Sequence, residues 1–156
     1  MVALLDALVE QARHTQSPVT FYQDSQVTLQ YFPRVGCIRS EWRGFFDVGR
    51  TRQVLELMYE FADRVGGVKK WLTDSSEEVS ADAEEQEWMA QNWFPRMFAA
   101  FGPGHKLAYV QDGGLAGQPL IGQPLIGQPL IGQPAYDPAY FTSEADALYW
   151  LEKAEA

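Results

Sequence analysis

Seven carboxylates, Asp74, Glu77, Glu78, Asp82, Glu84, Glu85 and Glu87, fall within fourteen residues that hold no Lys or Arg. Hard cations need several oxygens converging on one point, and a calcium loop alternates its ligands and carries a Gly for the turn. This run does neither, so a solvated acidic stretch that places charge at the start of a helix is the expected reading. Asp74-Ser75-Ser76 closes a short apolar stretch, and open α/β sheets place their sites at such strand ends. The competing expectation there is a turn in which these side chains bond nearby backbone groups. Phosphate on Ser75 or Ser76 would meet Glu77 and Glu78, and that repulsion would loosen the segment rather than order it.

Trp88, Trp93, Phe94, Phe98 and Phe101 recur at helical spacing. Such a stripe lines a pocket for an apolar ligand or faces a core, and core packing is the more ordinary outcome. Arg96 follows Pro95 and suits either an anion or the acidic run. The inventory for nucleophilic chemistry is short: Cys37 stands in an expected strand, and neither His14 nor His105 has a motif-linked Asp or Ser. His105 begins a strand, where a surface histidine is expected. No catalytic residue, metal site or cofactor is assigned. The candidate binding residues are Asp74, Ser75, Ser76, Trp88, Trp93 and Arg96, with Ser75 and Ser76 as candidate phosphorylation positions.

A chain of 156 residues, 46% hydrophobic and 21% charged, fits one domain that buries about 68–70% of the surface its unfolded form exposes. Its net charge of −9 repels phosphate backbones and anionic membrane surfaces, which argues against nucleic acid as a partner. The lone Cys37 allows no internal disulfide, as in a reducing compartment. Asp6 and Glu10 interrupt the apolar N-terminal stretch, unlike a secretory signal, and no apolar run reaches the ~20 residues of a membrane span. A cytoplasmic location is the expectation.

Leu4, Leu5, Leu8, Val9 and Ala12 predict an amphipathic helix over 2–14, within an N-terminal segment 1–18 that packs on the domain of residues 19–156 or on a second copy. Strands are predicted at Val19–Gln23, Gln26–Phe32 and Val35–Trp42. Asp47 caps a helix running to about Val65, with Val54, Leu55, Met58, Phe61 and Ala62 on its apolar face and Gly66-Gly67 as its stop. Val68–Thr73 then reads as a buried strand parallel to the third, and Val54, Leu55, Met58, Phe61, Trp71 and Leu72 are expected to be buried together. Asp82 and Glu85 resemble a capping box. Pro95 should kink the next helix or start a new one. Lys106–Val110 and a stretch ending at Tyr140-Phe141 read as strands, and Ser143 caps the last helix. The fold class is α/β, a single mixed sheet in the order β-β-β-α-β-α-β-insert-β-α.

The insert is Leu115-Ala116-Gly117-Gln118-Pro119 followed by three identical Leu-Ile-Gly-Gln-Pro units ending at Pro134. A period of five matches neither collagen nor a coiled coil, and twenty residues are too few for a solenoid.

Four motifs carry a family resemblance: Glu41-Trp42-x-Gly44-Phe45, Trp71-Leu72-x-Asp74, Glu84-Glu85-Gln86-x-Trp88 with Trp93-Phe94-Pro95-Arg96, and the closing Phe141 to Leu151 segment. Together they resemble the small bacterial STAS/CRAL-TRIO-like domains, also called SpoIIAA-like, over roughly residues 19–110 and 136–152. The resemblance implies a STAS-like mixed sheet with helices against it and a regulatory or ligand-binding role rather than catalysis. Classical STAS regulators carry Asp-Ser-Ser-Gly at a helix start, and Glu77 stands at that Gly position here. The expected function is therefore a non-enzymatic regulatory or ligand-binding domain working through the Asp74–Asp82 loop and the helix after it. Its partner would be a protein or a small apolar ligand, with a homodimer as one arrangement. The alternative is a carrier of an apolar ligand or lipid with the repeats as a lid. A pocket closed by core side chains favours the first, and an elongated apolar cavity beneath residues 111–135 favours the second.

Each repeat pairs Leu with Ile, and pairs left in water would form an apolar patch of the kind that marks a contact site. A helix would carry Gly at about 1 and Pro at about 3 kcal/mol per unit. The array of residues 115–134 is thus expected to be non-helical and partly docked. Deleting two units tests docking: halving a free loop changes closure by about 0.6 kcal/mol, whereas losing one docked Leu-Ile pair costs about 3–6 kcal/mol in a urea melt.

Overall fold

The computed structural model describes residues 2–44, 46–78, 88–102, 104–110 and 136–153, so the Asp82 capping box and the repeats lie outside the described residues. The elements are α1 (Val2–Arg13), β1 (Val19–Gln23), β2 (Val27–Phe32), β3 (Cys37–Gly44), α2 (Val48–Arg64), β4 (Lys70–Glu78), a turn of π-helix (Met89–Trp93), α3 (Phe94–Phe101), β5 (His105–Val110), β6 (Tyr136–Phe141) and α4 (Glu144–Lys153). The protein is a mixed α/β structure. Its six strands lie in sequence order across one sheet, β1 to β3 antiparallel and β3 to β6 parallel. No helix among the described residues is long and apolar enough to cross a membrane.

Local chemistry sets the element ends. The β1–β2 hairpin turns on Asp24, whose Oδ1 accepts from the backbone N–H of Gln26 and Val27 at 2.8 and 2.9 Å, while Oδ2 takes the Tyr22 hydroxyl at 2.7 Å and the Arg50 guanidinium. Burial pushes the Asp24 carboxyl up, yet these donors outweigh it and hold the group at about 2. Asp47 caps α2 by accepting from Arg50 N at 2.8 Å. At its other end Gly67 N donates to Ala62 O and Gly66 N to Asp63 O, the paired bonds of a Schellman stop. Both glycines sit at φ 104°, where a side chain would be strained. Pro95 occupies the first turn of α3, directly after the π-turn, and lacks the N–H that would carry helical bonding back into that turn. The chain reaches it through the π-turn, so the sequence-derived break at Pro95 takes the form of a helix change.

Strand alternation divides the core in two. On one face α1 contributes Leu5, Val9 and Ala12, α2 contributes Val54, Leu55, Met58, Phe61 and Ala62, and the π-turn and α3 contribute Trp93, Phe94 and Met97. They cover Leu29, Ile38, Trp71, Leu107 and Tyr109 of the strands. On the other face α4 lays Ala147 and Leu151 over Cys37, Leu72, Ala108 and Val110. One expected core member is corrected here: Leu72 is buried, but neighbouring residues of a strand point to opposite faces, so it packs under α4, away from Trp71. The N-terminal helix packs on the domain itself. Burial also pushes the Cys37 thiol up to about 12, which leaves it protonated and inert at neutral pH.

The second correction concerns Asp74–Asp82. The strand runs on to Glu78, with Asp74 opposite Glu41 and Val110, and Glu77 and Glu78 opposite Arg43 and Gly44. Asp74, Ser75 and Ser76 are therefore strand residues, Asp74 paired on both sides and Ser75 and Ser76 at a register shift opposite β3, and they form no loop or Asx turn.

Phe61 is fully buried and stacks on Phe21 at 4.1 Å between centroids. Phe61→Ala is expected to cost about 3–5 kcal/mol in a denaturant melt; a cost under about 1 kcal/mol would place the core on a different face of α2.

Candidate functional site

Between α2, α3 and the sheet lies a chamber of about 40 Å³. Its walls come from every second residue of three parallel strands, namely Ser40 and Trp42 of β3, Trp71 and Thr73 of β4, and His105, Leu107 and Tyr109 of β5. Leu55 and Met58 of α2, with Trp93, Phe94, Met97 and Phe98, close it from above. A water needs about 10–15 Å³ of such space, so the chamber has room for about three waters, and a ring, which takes about 150 Å³, would enter only as the covering side chains move apart.

The polar groups of this wall are arranged asymmetrically. Trp42 Nε1 donates to Ser40 Oγ at 2.9 Å, and Trp71 Nε1 donates to His105 Nδ1 at 3.0 Å. Indole N–H only donates, so Nδ1 must be the bare nitrogen, and the neutral ring carries its proton on Nε2. That N–H is buried and has no hydrogen-bond partner; the Gly102 backbone favours a proton on the ring without reaching bonding geometry. The residue is 1% exposed, against the expectation of a surface histidine, with Trp71 stacked beside it and Phe98 at 5.3 Å between centroids. Desolvation lowers its pKa from 6.5 to about 4, with the Gly102 backbone opposing and the nearby Lys69 charge assisting. A neutral, buried donor thus belongs to a largely aromatic and aliphatic lining.

A second constellation stands on the opposite face. Arg39 gives Nε to Glu144 Oε1 at 2.6 Å and Nη2 to Oε2 at 2.8 Å, reaches Glu41 at 2.9 Å and Gln30 at 3.2 Å, and lies 3.9 Å from Asp74. Bonding to Arg39 holds the Glu144 carboxyl below its usual range, burial opposes this, and a hydrogen bond with Asp74 adds to it. The Arg39 guanidinium is pushed the other way, chiefly by Glu144. The cluster joins β3, β4 and α4 and is a buried clamp whose cation cannot release a proton near neutral pH.

The candidates read from sequence are thereby sorted. Trp93 walls the chamber; Trp88 and Arg96 line an adjoining cleft with Arg52, Glu56 and Asn92. Arg96 pairs with Glu56 of α2 and lies 3.7 Å over the Tyr59 ring; the acidic side chains from Glu77 to Glu87 lie outside the described residues. Asp74 belongs to the clamp, across the sheet from Trp93. Ser75 points back toward the chamber face, is 1% exposed and leaves Oγ without a partner, so a phosphate there would require β4 to open. Of Ser76 only the backbone is described. The sequence reading missed His105, Trp71 and Tyr109 as one lining; their signal is the i, i+2, i+4 alternation of His105, Leu107 and Tyr109, hidden by starting that strand at Lys106. Compared with protein-family models, curated proteins and solved structures, the chain matches none.

His105 carries a signed pH effect. Its folded pKa lies below the unfolded value, so the unfolded chain binds more protons between them and stability falls as pH drops from about 6.5 to about 4. Urea melts at pH 7 and pH 4.5 should show the wild type losing about 2–3 kcal/mol more than His105→Asn over that interval. Equal losses would mean the ring is solvated.

Proposed function

We propose that the chain is a non-enzymatic STAS-like domain that regulates by binding a small, largely apolar ligand carrying one hydrogen-bond acceptor. The observation that carries this reading is the small aromatic chamber whose lining includes His105 with an unpartnered buried N–H. A buried donor without a partner costs about 1–3 kcal/mol, and a ligand oxygen placed there recovers much of it. Apolar walls with a few convergent polar groups are the general form of small-molecule sites. The one-turn π-helix at Met89–Trp93 adds support, since such turns recur at functional sites.

The chamber is closed by core side chains, which supports the regulator over the carrier. Occupancy would act on α3, because Trp93, Phe94, Met97 and Phe98 all stand over the cavity. The working surface moves accordingly from Asp74–Asp82 to the π-turn and α3.

Ligand-observed NMR with para-cresol and toluene provides the test. The wild type should favour para-cresol by about tenfold, the value of one neutral hydrogen bond plus the penalty it removes, and His105→Phe should erase that preference. Absence of binding by both probes at millimolar concentration would refute the reading.

A further inference from the structure

We infer that the ligand of this chamber is an anion, a small aryl or branched-alkyl carboxylate whose apolar body fills the chamber and whose charge rests on Arg52. The inference depends on the ligand-binding reading and adds the ligand's charge and the residue that holds it.

Size supplies the first argument. Small-molecule sites span about 300–1,000 Å³, and the chamber alone offers about 40 Å³. Any ligand larger than about three waters must extend beyond it. Leu55 and Trp93 line the chamber and also a cleft of about 300 Å³ between α2 and the π-turn, so the two spaces are neighbours across these side chains and a ligand that parts them would place its remainder in the cleft.

Charge supplies the second. Seven of the eight arginines hold a carboxylate: Arg13, Arg34, Arg39, Arg43, Arg50, Arg64 and Arg96. Among the described residues Arg52 is the exception, in a chain with twenty-one acidic side chains. Its guanidinium lies on the Trp88 ring at 4.7 Å. A guanidinium over a ring keeps the N–H donors that take a carboxylate in two parallel hydrogen bonds, and no carboxylate among the described residues takes those of Arg52. The cleft's own carboxylate, Glu56, is already matched by Arg96 in two hydrogen bonds. The uncompensated charge of the described lining is therefore the single positive one on Arg52. With a net charge of −9, the molecule as a whole repels anions, so selection for one must come from a local contact of this kind.

Three probes sharing one body separate the possibilities: para-hydroxyphenylacetate, the corresponding alcohol and the corresponding amine, titrated calorimetrically into the wild type and R52Q. The carboxylate should bind about tenfold tighter than the alcohol, the amine most weakly, and R52Q should bring the carboxylate-to-alcohol ratio to about one. Equal affinities for carboxylate and alcohol in the wild type, or an unchanged ratio in R52Q, would overturn the inference while leaving the chamber reading intact. Tightest binding by the amine would overturn it in the other direction, in favour of a cationic ligand. If none of the three binds, the chamber reading falls and the inference with it.

Discussion

Strand β4 is hydrogen-bonded on both sides, to β3 and to β5, and both faces of the sheet beside it are covered by helices. Its side chains consequently have two directions and no others. Trp71 and Thr73 go to the chamber under α2 and α3, while Leu72 and Asp74 go to α4 and the Arg39 clamp. A slip of one residue would exchange the two sets. It would drive the Asp74 carboxylate into an aromatic core without a cation, where burying a charge is costly. Register is thereby held by polar and apolar demands together, and the pairing of Ile38, Trp71 and Leu107 across three strands follows from it.

The two faces treat buried polarity in opposite ways. Arg39, 9% exposed, is met by Glu144, Glu41 and Gln30, with Asp74 close by, so its charge is compensated where it lies. The clamp fixes the first turn of α4 to the middle of the sheet, and the residues beyond it, Ala147 and Leu151, complete that core. His105 is buried more deeply and is met on one nitrogen only. Its Nδ1 satisfies the buried Trp71 N–H, which an apolar ring would leave without a partner. The remaining N–H is a cost carried at the chamber lining, as are the unpartnered hydroxyls of Thr51 and Ser75 elsewhere in the core.

Much of the architecture was legible because it is written in local chemistry. Asp47 and Ser143 as helix starts, Gly66-Gly67 as a stop and Pro95 as a break each depend on residues within one turn of themselves. The structure carries all four; Ser143 Oγ accepts from Asp146 N at 3.4 Å. The stripe from Val54 to Ala62 gave the buried face of α2 by the same logic. The extension of β4 through Asp74, Ser75, Ser76, Glu77 and Glu78 was not legible, because these are poor strand formers by propensity. Asp74 is paired by both neighbours, and Glu77 and Glu78 are extended because Arg43 and Gly44 of β3 present backbone partners, a demand made by residues more than thirty positions away.

The candidate site divides along the same line. Sequence by itself determined that Trp88, Trp93, Phe94 and Phe98 share a helical segment and that Arg96 follows its break, since spacing along one element is a local quantity. Only the tertiary structure decided that Trp42, Trp71, His105 and Tyr109 meet beneath that segment, that Asp74 faces away from it, and that a histidine expected at the surface is sealed beside an indole. Those facts depend on which strands are neighbours and in what register. Register is settled by packing two faces of a sheet at once, and no window of the chain contains both.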